Sequence, residues 1–529
     1  ITTRLVGSEM CIRDRLLPSG PVSMTASAAN TLRPSGAERE MYGMNAQKPS
    51  ASHKEQSTLN RLALKAGLFY IFAQLLVRGI TFLTTPILTR LLSKAQYSDI
   101  RLYESWLLII GPVFSLNLYR SVERAKYDTG ENYNEFVSCT SMLSYLSIGF
   151  CFLVCLFFKE PVKIFCDMND LMFYTAFLYT FAHTAIMFMQ RREKQLMRYK
   201  VSTAVTAVTV IPATLLSILL IWIGRETGHT DALVSLRVIG YYVPFIIAGI
   251  IIAAVLLFQG KKAYSRAHWR YALLFSLPLI PEAISIQIMN QSDRIMVRHL
   301  IGKEEAAILA LGTTVSYIIW ILEDSVWNAW LPWLYEKISR KETKDVEKPW
   351  TILMHGFGML SWFLVLLAPE IVAILGSSEY RDCIYLTAPM LTGTLFRFYS
   401  YSYTAVENYH KKTGYVAAAT VGTMLLNVIL NYVCIKSFGY RAAAYTTAFS
   451  YFVLLLVQSF MEYRLTGALI IPIKKTVAVS LAYFALCCAS MLLFACPSLI
   501  RYGVLAAGVL LAAKFLLPQC FGILKLLKK

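Results

Sequence analysis

The sequence predicts an all-α polytopic membrane protein with about 14 transmembrane helices, and three observations carry this prediction. The chain of 529 residues is 56% hydrophobic and only 16% charged, whereas soluble proteins carry roughly 25% charged residues. Its mean hydropathy is +0.52. Apolar runs of about 20 residues, the length that a helix needs to cross the hydrocarbon core of a bilayer, recur along the chain.

The predicted spans follow from the distribution of charged residues. Eight runs contain no Asp, Glu, Lys or Arg: 136–158, 171–190, 201–224, 238–260, 350–369, 413–435, 442–461 and 476–500. Four runs contain one charged residue each: 66–89 with Arg78, 271–290 with Glu282, 383–406 with Arg397 and 502–524 with Lys514. Two remain: 105–119, which is short, and 306–335, which is interrupted by Glu323 and Asp324. Four prolines within these runs are predicted to kink or break their helices: Pro212, Pro278, Pro281 and Pro389.

The orientation follows from the basic residues in alternate connections. If the N-terminus is cytoplasmic, the inside connections hold about 22 Lys and Arg and the outside connections about 14. Cytoplasmic loops of membrane proteins are enriched in these residues. The count therefore predicts that both termini lie in the cytoplasm, as an even number of spans requires.

The segment before the first span has a different composition. Residues 1–15 resemble a translated cloning adaptor and are predicted to be a non-native leader. Residues 16–60 are rich in Ser, Ala, Pro and Gly, which predicts a disordered tail. No secretory signal peptide is visible, so the first span is predicted to direct insertion.

The composition and motifs argue against several function classes. The net charge of +19 comes mostly from short loops, where membrane orientation explains it and a nucleic-acid partner is not needed. The seven His are dispersed, and most of the 11 Cys lie in predicted spans. No catalytic residue, cofactor or metal site is predicted. No connection after residue 66 exceeds roughly 20 residues, close to the lengths that merely join helices, which favours transport over catalysis.

A weak internal repeat indicates two related halves. RLLSKAQYSDI (90–100) and RHLIGKEEAAIL (298–309) share Arg, Leu and Lys, allowing one inserted residue, and each leads into a further span. The two segments are six predicted spans apart. An even spacing gives both halves the same topology, as in transporters built from parallel repeats with a cavity between them.

Two longer blocks resemble a known family. FSLPLIPEAISIQIMNQSDRIMVRHLIGKEEAAILALGTTVS (275–316) has a Pro-containing seventh span, then Ser-Asp-Arg and a Gly-Lys turn. NVILNYVCIKSFGYRAAAYTTAFSYF (427–452) has Asn, Phe-Gly and a run of small residues. Both resemble polysaccharide transporters, the O-antigen and capsule flippase branch of the multidrug/oligosaccharidyl-lipid/polysaccharide exporter superfamily. Arg441-Ala442 departs from the Gly that is common there.

The resemblance covers about residues 60–520 and implies an architecture. It implies an N-terminal six-helix bundle over 61–262, a C-terminal six-helix bundle over 263–465, and two additional helices with a basic C-terminus over 466–529. It further implies a non-enzymatic flippase that moves polyprenyl-pyrophosphate-linked oligosaccharide across the bacterial inner membrane by alternating access. Its partners would be this lipid-linked substrate, the bilayer, and a polysaccharide polymerase and chain-length proteins. The alternatives are a multidrug and toxin extrusion-type cation antiporter, a lipid II flippase and a membrane polysaccharide polymerase.

Charged residues inside spans are the candidate site residues. Each costs about 2.5–3.5 kcal/mol on insertion scales, so such residues usually face a cavity or one another. Arg78 and Arg397 are candidates for the substrate head group, because a guanidinium can donate two hydrogen bonds to a phosphate. Glu282, Glu323 and Asp324 are candidates for a coupling ion, or for ion pairs with these arginines.

Two further pairs are candidates for a gate or rim. Arg120 and Glu123 lie near the predicted cytoplasmic end of the second span. At about 100° per residue, Asp293 and Arg294 fall in the same sector of the seventh helix as Glu282. We therefore expect a polar stripe with Glu282 deep in the membrane and the Asp293-Arg294 pair at its outer mouth.

Overall fold

The computed structural model describes residues 79–527 except 81 and 411. From Lys94 onward these residues form 17 α-helices, and the described residues contain no β-strand, which confirms the predicted all-α fold. The first nine are α1 Lys94–Phe114, α2 Ser121–Thr129, α3 Tyr133–Phe157, α4 Lys159–Cys166, α5 Asp170–Gln195, α6 Tyr199–Glu226, α7 Leu233–Gly260, α8 Arg266–Ser276 and α9 Ile280–Leu300. The others are α10 Lys303–Ser339, α11 Glu347–Leu366, α12 Ala368–Leu375, α13 Ile384–Tyr409, α14 Thr413–Phe438, α15 Ala442–Thr466, α16 Ile473–Ser490 and α17 Ser498–Leu527. Arg78, the leader and the tail lie outside the described residues.

Eleven helical stretches of the described chain are long and apolar enough to cross a membrane. They correspond to eleven of the predicted spans, and α8 and α9 together form one of them. Two more predicted spans, α1 and α13, are helical but too polar to count on hydropathy. A helical segment over residues 82–91 leads into α1. The protein is therefore a multi-pass membrane protein, consistent with about 14 spans.

Helix α1 is longer than the predicted span 105–119. It begins at Lys94, because Ser93 caps it: the Ser93 hydroxyl accepts from the Gln96 backbone N–H at 3.2 Å, and the Gln96 side chain accepts from the Ser93 N–H at 3.1 Å. This reciprocal capping box satisfies two free donors at the helix start. The chain leaves the helix after Phe114. The charged residues that suggested a loop before 105 thus lie on the helix itself.

The prolines divide into two groups. Pro278 lies in a 3₁₀ turn, Leu277–Leu279, and Pro281 lies in the first turn of α9, so the predicted break of the seventh span is observed. Pro212 and Pro389 lie inside continuous α-helices. The break places Glu282 in the first turn of α9.

Packing around two helices positions the site. Helix α13 is buried along most of its length and packs against α10, α11, α15 and α16. Helix α1 packs against α5 and α7 and also against α9 and α10, so it contacts helices from both predicted halves. The boundaries of the two predicted bundles stay a prediction.

Close contact between α5 and α7 depends on a glycine. A Cβ at Gly249 in α7 would lie 2.4 Å from the Cα of Ala182 in α5, far inside van der Waals contact. The absence of a side chain at Gly249 therefore allows the two helix backbones to approach each other.

Candidate functional site

Three arginines converge on one glutamate where α1, α7 and α9 meet. Arg101 and Glu104 on α1 form an ion pair with 2.8 Å between Nη1 and Oε2. Arg237 on α7 lies 3.8 Å from the other Glu104 oxygen. Arg294 on α9 donates to the Ser105 hydroxyl at 2.9 Å and interacts electrostatically with Glu104. All three arginines are buried.

Several hydrogen-bond donors of this arginine cluster, Arg101, Arg237 and Arg294, have no partner among the described residues. The Nε atoms of all three, and Nη1 of Arg237, are buried with no hydrogen-bond partner in the described structure. Buried polar groups are nearly always hydrogen-bonded, and buried charges are normally paired. Even with Asp293 counted beside Glu104, three guanidinium groups face two carboxylates. The cluster is therefore suited to bind an anion.

A cavity in the C-terminal half lies between α9, α10, α13 and α15. Its empty volume is about 640 Å³, and its lining includes Asn290, Asp293, Trp320, Arg397 and Tyr451. The Tyr451 hydroxyl donates to Asn290 at 2.7 Å. The cavity wall thus combines aromatic rings with polar groups, as sites for small polar ligands do.

Arg397 is paired within this cavity. Its Nη2 lies 3.0 Å from Glu323 Oε2, and its guanidinium carbon lies 3.9 Å above the Trp320 ring. Both charged residues are buried, and Asp324 interacts with Arg397 electrostatically. The structure therefore brings Arg397 together with Glu323 and Asp324, two of the three acidic residues that the sequence offered as partners.

Glu282 lines a second cavity of about 400 Å³, with Tyr401, Thr420 and Gln458. Met289 and Tyr451 belong to both cavities, so the two adjoin. The polar residues of α9 thus face consecutive cavities, with Asn290 and Asp293 in the first and Glu282 in the second.

The role of Asp293 and Arg294 as a gate or rim stays a prediction. Helix α9 continues to Leu300, and both residues are buried inside it. The apolar run ends near residue 290, but the helix continues because α1 packs against this charged stretch. Arg294 bonds to Ser105 and to the Arg101 carbonyl oxygen.

Arg298 forms a second contact between α9 and α1, which we call the Arg298 junction. Its Nη2 lies 2.5 Å from Asp99 Oδ1, its Nη1 donates to Ser98 at 3.1 Å, and its Nε donates to Asp167 at 2.9 Å. The Arg298 side chain is 2% exposed. Burial alone would raise the pKa of the Asp167 carboxyl, but the hydrogen bond and charge of Arg298 lower it. Residues far apart in sequence are thereby joined at one end of α1.

Arg120 and Glu123 lie beyond the other end of α1. Glu123, on α2, pairs with Arg191 on α5, and Arg120 ends a short 3₁₀ helix and is partly buried. The role of these two residues as a gate or rim stays a prediction.

Sequence reasoning missed the arginine cluster and the Arg298 junction. Arg101 and Glu104 lie just before the predicted span 105–119, and Arg237 lies just before the predicted span 238–260. Two signals were available: the Ser93-x-x-Gln96 capping pattern at the start of α1, and the four-residue spacing of Arg294 and Arg298, which places both on one face of α9.

Solved structures share this fold. Lipid II flippase MurJ in an inward closed conformation matches with a TM-score of 0.62 and 15% identity, covering 85% of this chain and 98% of that chain. An inward-facing multidrug resistance MATE family transporter of the MOP superfamily matches with a TM-score of 0.58 and 11% identity, covering 77% and 98%. The chain therefore has the fold of membrane transporters and flippases.

Sequence comparison gives the family. Residues 63–337, more than half of the chain, match the family described as polysaccharide biosynthesis protein. A protein of the Lsg locus of Haemophilus influenzae is 22% identical over 358 residues, covering 65% of this chain and 84% of the relative. The chain belongs to the polysaccharide biosynthesis protein family, and the family resemblance predicted from the sequence is confirmed.

Proposed function

We propose that this protein is a flippase that moves a polyprenyl-pyrophosphate-linked oligosaccharide across the bacterial inner membrane, with both termini in the cytoplasm. The observation that carries the proposal is the arginine cluster where α1, α7 and α9 meet, whose buried donors have no partner among the described residues. A pyrophosphate group would supply the acceptor oxygens and the negative charge that these donors lack. The family to which the chain belongs supports an oligosaccharide as the remainder of the cargo.

The charge balance argues against the cation antiporter. A site that binds a cation needs an excess of carboxylates, whereas here arginines outnumber the acids around them. The lipid II flippase remains the second candidate, because the structural match to MurJ has the larger TM-score of the two compared and that substrate class also carries an anionic head group.

In an alternating-access cycle, the other candidate residues would have separate roles. The cluster would hold the head group between the two halves, with Arg78 and Arg397 as further contacts, and the aromatic wall of the 640 Å³ cavity would receive sugar rings. Glu282, Glu323 and Asp324 would bind a coupling ion or balance these arginines, and Arg120 and Glu123 would border the cytoplasmic opening. The Arg298 junction joins three predicted outside connections, so its separation would open the outer side.

The proposal is tested by binding and flipping in proteoliposomes. Arg237→Gln removes donors that have no protein partner, so affinity for a labelled polyprenyl-pyrophosphate oligosaccharide should fall at least tenfold, a loss of about 1.4 kcal/mol, with the melting temperature retained. Arg464→Gln, at an exposed arginine of α15, is the matched control and should bind as the wild type does.

Competition separates the candidate functions. Unlabelled lipid II that competes as well as the oligosaccharide lipid would favour the lipid II flippase. Unchanged binding by Arg237→Gln, or transport of an organic cation in place of the lipid, would refute an anionic head-group site.

A further inference from the structure

Two carboxyl groups are buried together at the ends of α13 and α15. Glu407 and Glu462 are both fully buried and interact electrostatically with each other. Gln458 of α15 is also buried, and its side chain reaches Glu407. With its amide nitrogen directed at Glu407, it donates to the two carboxyl oxygens at 2.5 and 2.7 Å.

Among the described residues, no basic side chain forms an ion pair with either member of this carboxyl pair, Glu407 and Glu462. Glu462 Oε1 accepts from the Ile470 backbone N–H at 2.7 Å, but Oε2 is buried with no hydrogen-bond partner. The Tyr403 hydroxyl is also buried and interacts electrostatically with Glu462. Among the described residues, Glu462 Oε2 is therefore a buried polar atom that lacks a partner.

We infer that the carboxyl pair is a proton-binding site, with the proton on Oε2 of Glu462. Two carboxylates that share a buried site cannot both stay ionised unless a positive charge compensates them. With the amide in this orientation, Glu407 accepts from the Gln458 nitrogen, which favours its ionised form. Glu462 Oε2 accepts no hydrogen bond from a described residue, so it is the atom that a proton satisfies.

A metal ion fits this site less well than a proton does. Hard cations such as sodium require several oxygen ligands around them. The described residues contain no group of three or more acidic, His or Cys side chains that could hold a metal.

A path to the site runs through the 400 Å³ cavity. Gln458 lines this cavity together with Glu282 of α9, and α14 contributes Val416 and Thr420 to its wall. The other titratable groups on the surrounding elements include Tyr401, Tyr403 and Tyr409 on α13, Tyr415 on α14, Tyr451, Tyr463 and Arg464 on α15, His410 and Lys412 in the connection after α13, and Lys474 and Lys475 at the start of α16. The lysines, His410 and Arg464 are exposed, and Lys475 is paired with Glu347 of α11. Glu282 and Gln458 thus face the same cavity, which gives protons a route toward the pair.

The proton site deepens the proposed flippase and rests on it for its role. Loss of the proton would leave two charges inside packed helices, which is costly unless the ends of α13 and α15 separate or admit water. Proton occupancy therefore favours the closed packing at this end, and a ligand shifts a conformational equilibrium when it binds one state better than the other. We expect proton binding to be linked to the transport cycle in this way.

Infrared difference spectroscopy of the full chain in lipid nanodiscs tests the site directly. The wild type should show the carbonyl stretch of a protonated buried carboxyl, and this band should disappear as pH rises. Glu462→Gln should abolish the band, and Glu407→Gln should shift its titration midpoint. Glu379→Gln, at an exposed carboxyl in the connection before α13, should leave it unchanged.

Several outcomes would overturn the inference. A missing band, or one that persists at every pH as a permanent structural proton would give, refutes the exchangeable site. Loss of the band when sodium chloride replaces choline chloride at constant pH would assign the site to a metal cation.

A transport measurement distinguishes failure of the proton site from failure of the proposed flippase. In proteoliposomes, a pH gradient should accelerate flipping by the wild type but not by Glu462→Gln, and an unaffected wild type would refute the linkage. The infrared measurement uses no transport substrate, so a titrating band without any flipping would retain the proton site and refute the flippase.

Discussion

Replacing Arg298 by glutamine is expected to open the junction between α9 and α1. The arginine holds Asp99 on α1 and Asp167 in the connection before α5. Glutamine removes the positive charge and leaves the two carboxylates facing each other. The closed conformation should then lose stability relative to a conformation in which α9 and α1 separate.

The size of this loss of stability follows from the solvent exposure of Asp99 and Asp167. A hydrogen bond to a charged group contributes about 1.5–3 kcal/mol, but exposed ion pairs contribute only about 0–1 kcal/mol. The Asp99 and Asp167 side chains are 25% and 46% exposed, so we assign about 1 kcal/mol to each pair after screening by solvent. The sum of about 2 kcal/mol corresponds to roughly a 30-fold increase in the ratio of open to closed molecules.

Electron spin resonance distances measure this ratio. Labels at Ile164→Cys and Leu300→Cys, two exposed positions flanking the junction, report its opening in nanodiscs after the accessible native cysteines are replaced. Lys303→Gln is the control, because Lys303 contacts the same Asp99 at 3.2 Å but its side chain is 49% exposed. Its effect should stay within about twofold. Identical distance distributions for the two variants would refute the assignment of closure to Arg298.

The pH dependence and the helix packing give two further predictions. The pKa of the Asp167 carboxyl is lowered in the closed structure. Its contribution to closure is therefore complete above about pH 4 and is lost as pH falls through the lowered pKa. Asp167→Asn should reduce this acid-induced opening in the same distance measurement. Gly249→Ala should lower the melting temperature, because the new Cβ lies 2.4 Å from Ala182 Cα and overpacking costs about 1–3 kcal/mol. Gly149→Ala, with nothing within 4 Å of its Cβ, should not destabilise the protein, and equal melting temperatures for the two variants would contradict the close packing.

Helix α9 connects three features of the molecule. Asn290 and Asp293 line the larger cavity, Arg294 belongs to the arginine cluster, and Arg298 forms the junction with α1. A displacement of α9 against α1 would therefore change the proposed head-group site and the Arg298 junction together. Alternating access requires this linkage, because the substrate site and the closure must respond to the same motion.

The apolar runs by themselves determined most of the spans. In α3, α6 and α7 the uncharged stretch and the observed helix nearly coincide, because a helix in lipid must be apolar over its length and must satisfy its own backbone. The family could also be recognised from two blocks of the sequence. These properties depend on residues that are close together in the chain.

Only the tertiary structure shows why the charged helix α1 is buried and why the two members of the carboxyl pair lie together. Asp99 and Arg298 are 199 positions apart, so no local pattern indicates that each compensates the other. Glu407 and Glu462 are 55 positions apart, yet both are buried together and neither is in an ion pair with a described residue. Hydropathy records the cost of burying a single charge. Whether a partner compensates that cost depends on which distant residues folding brings beside it, and only the three-dimensional structure contains that information.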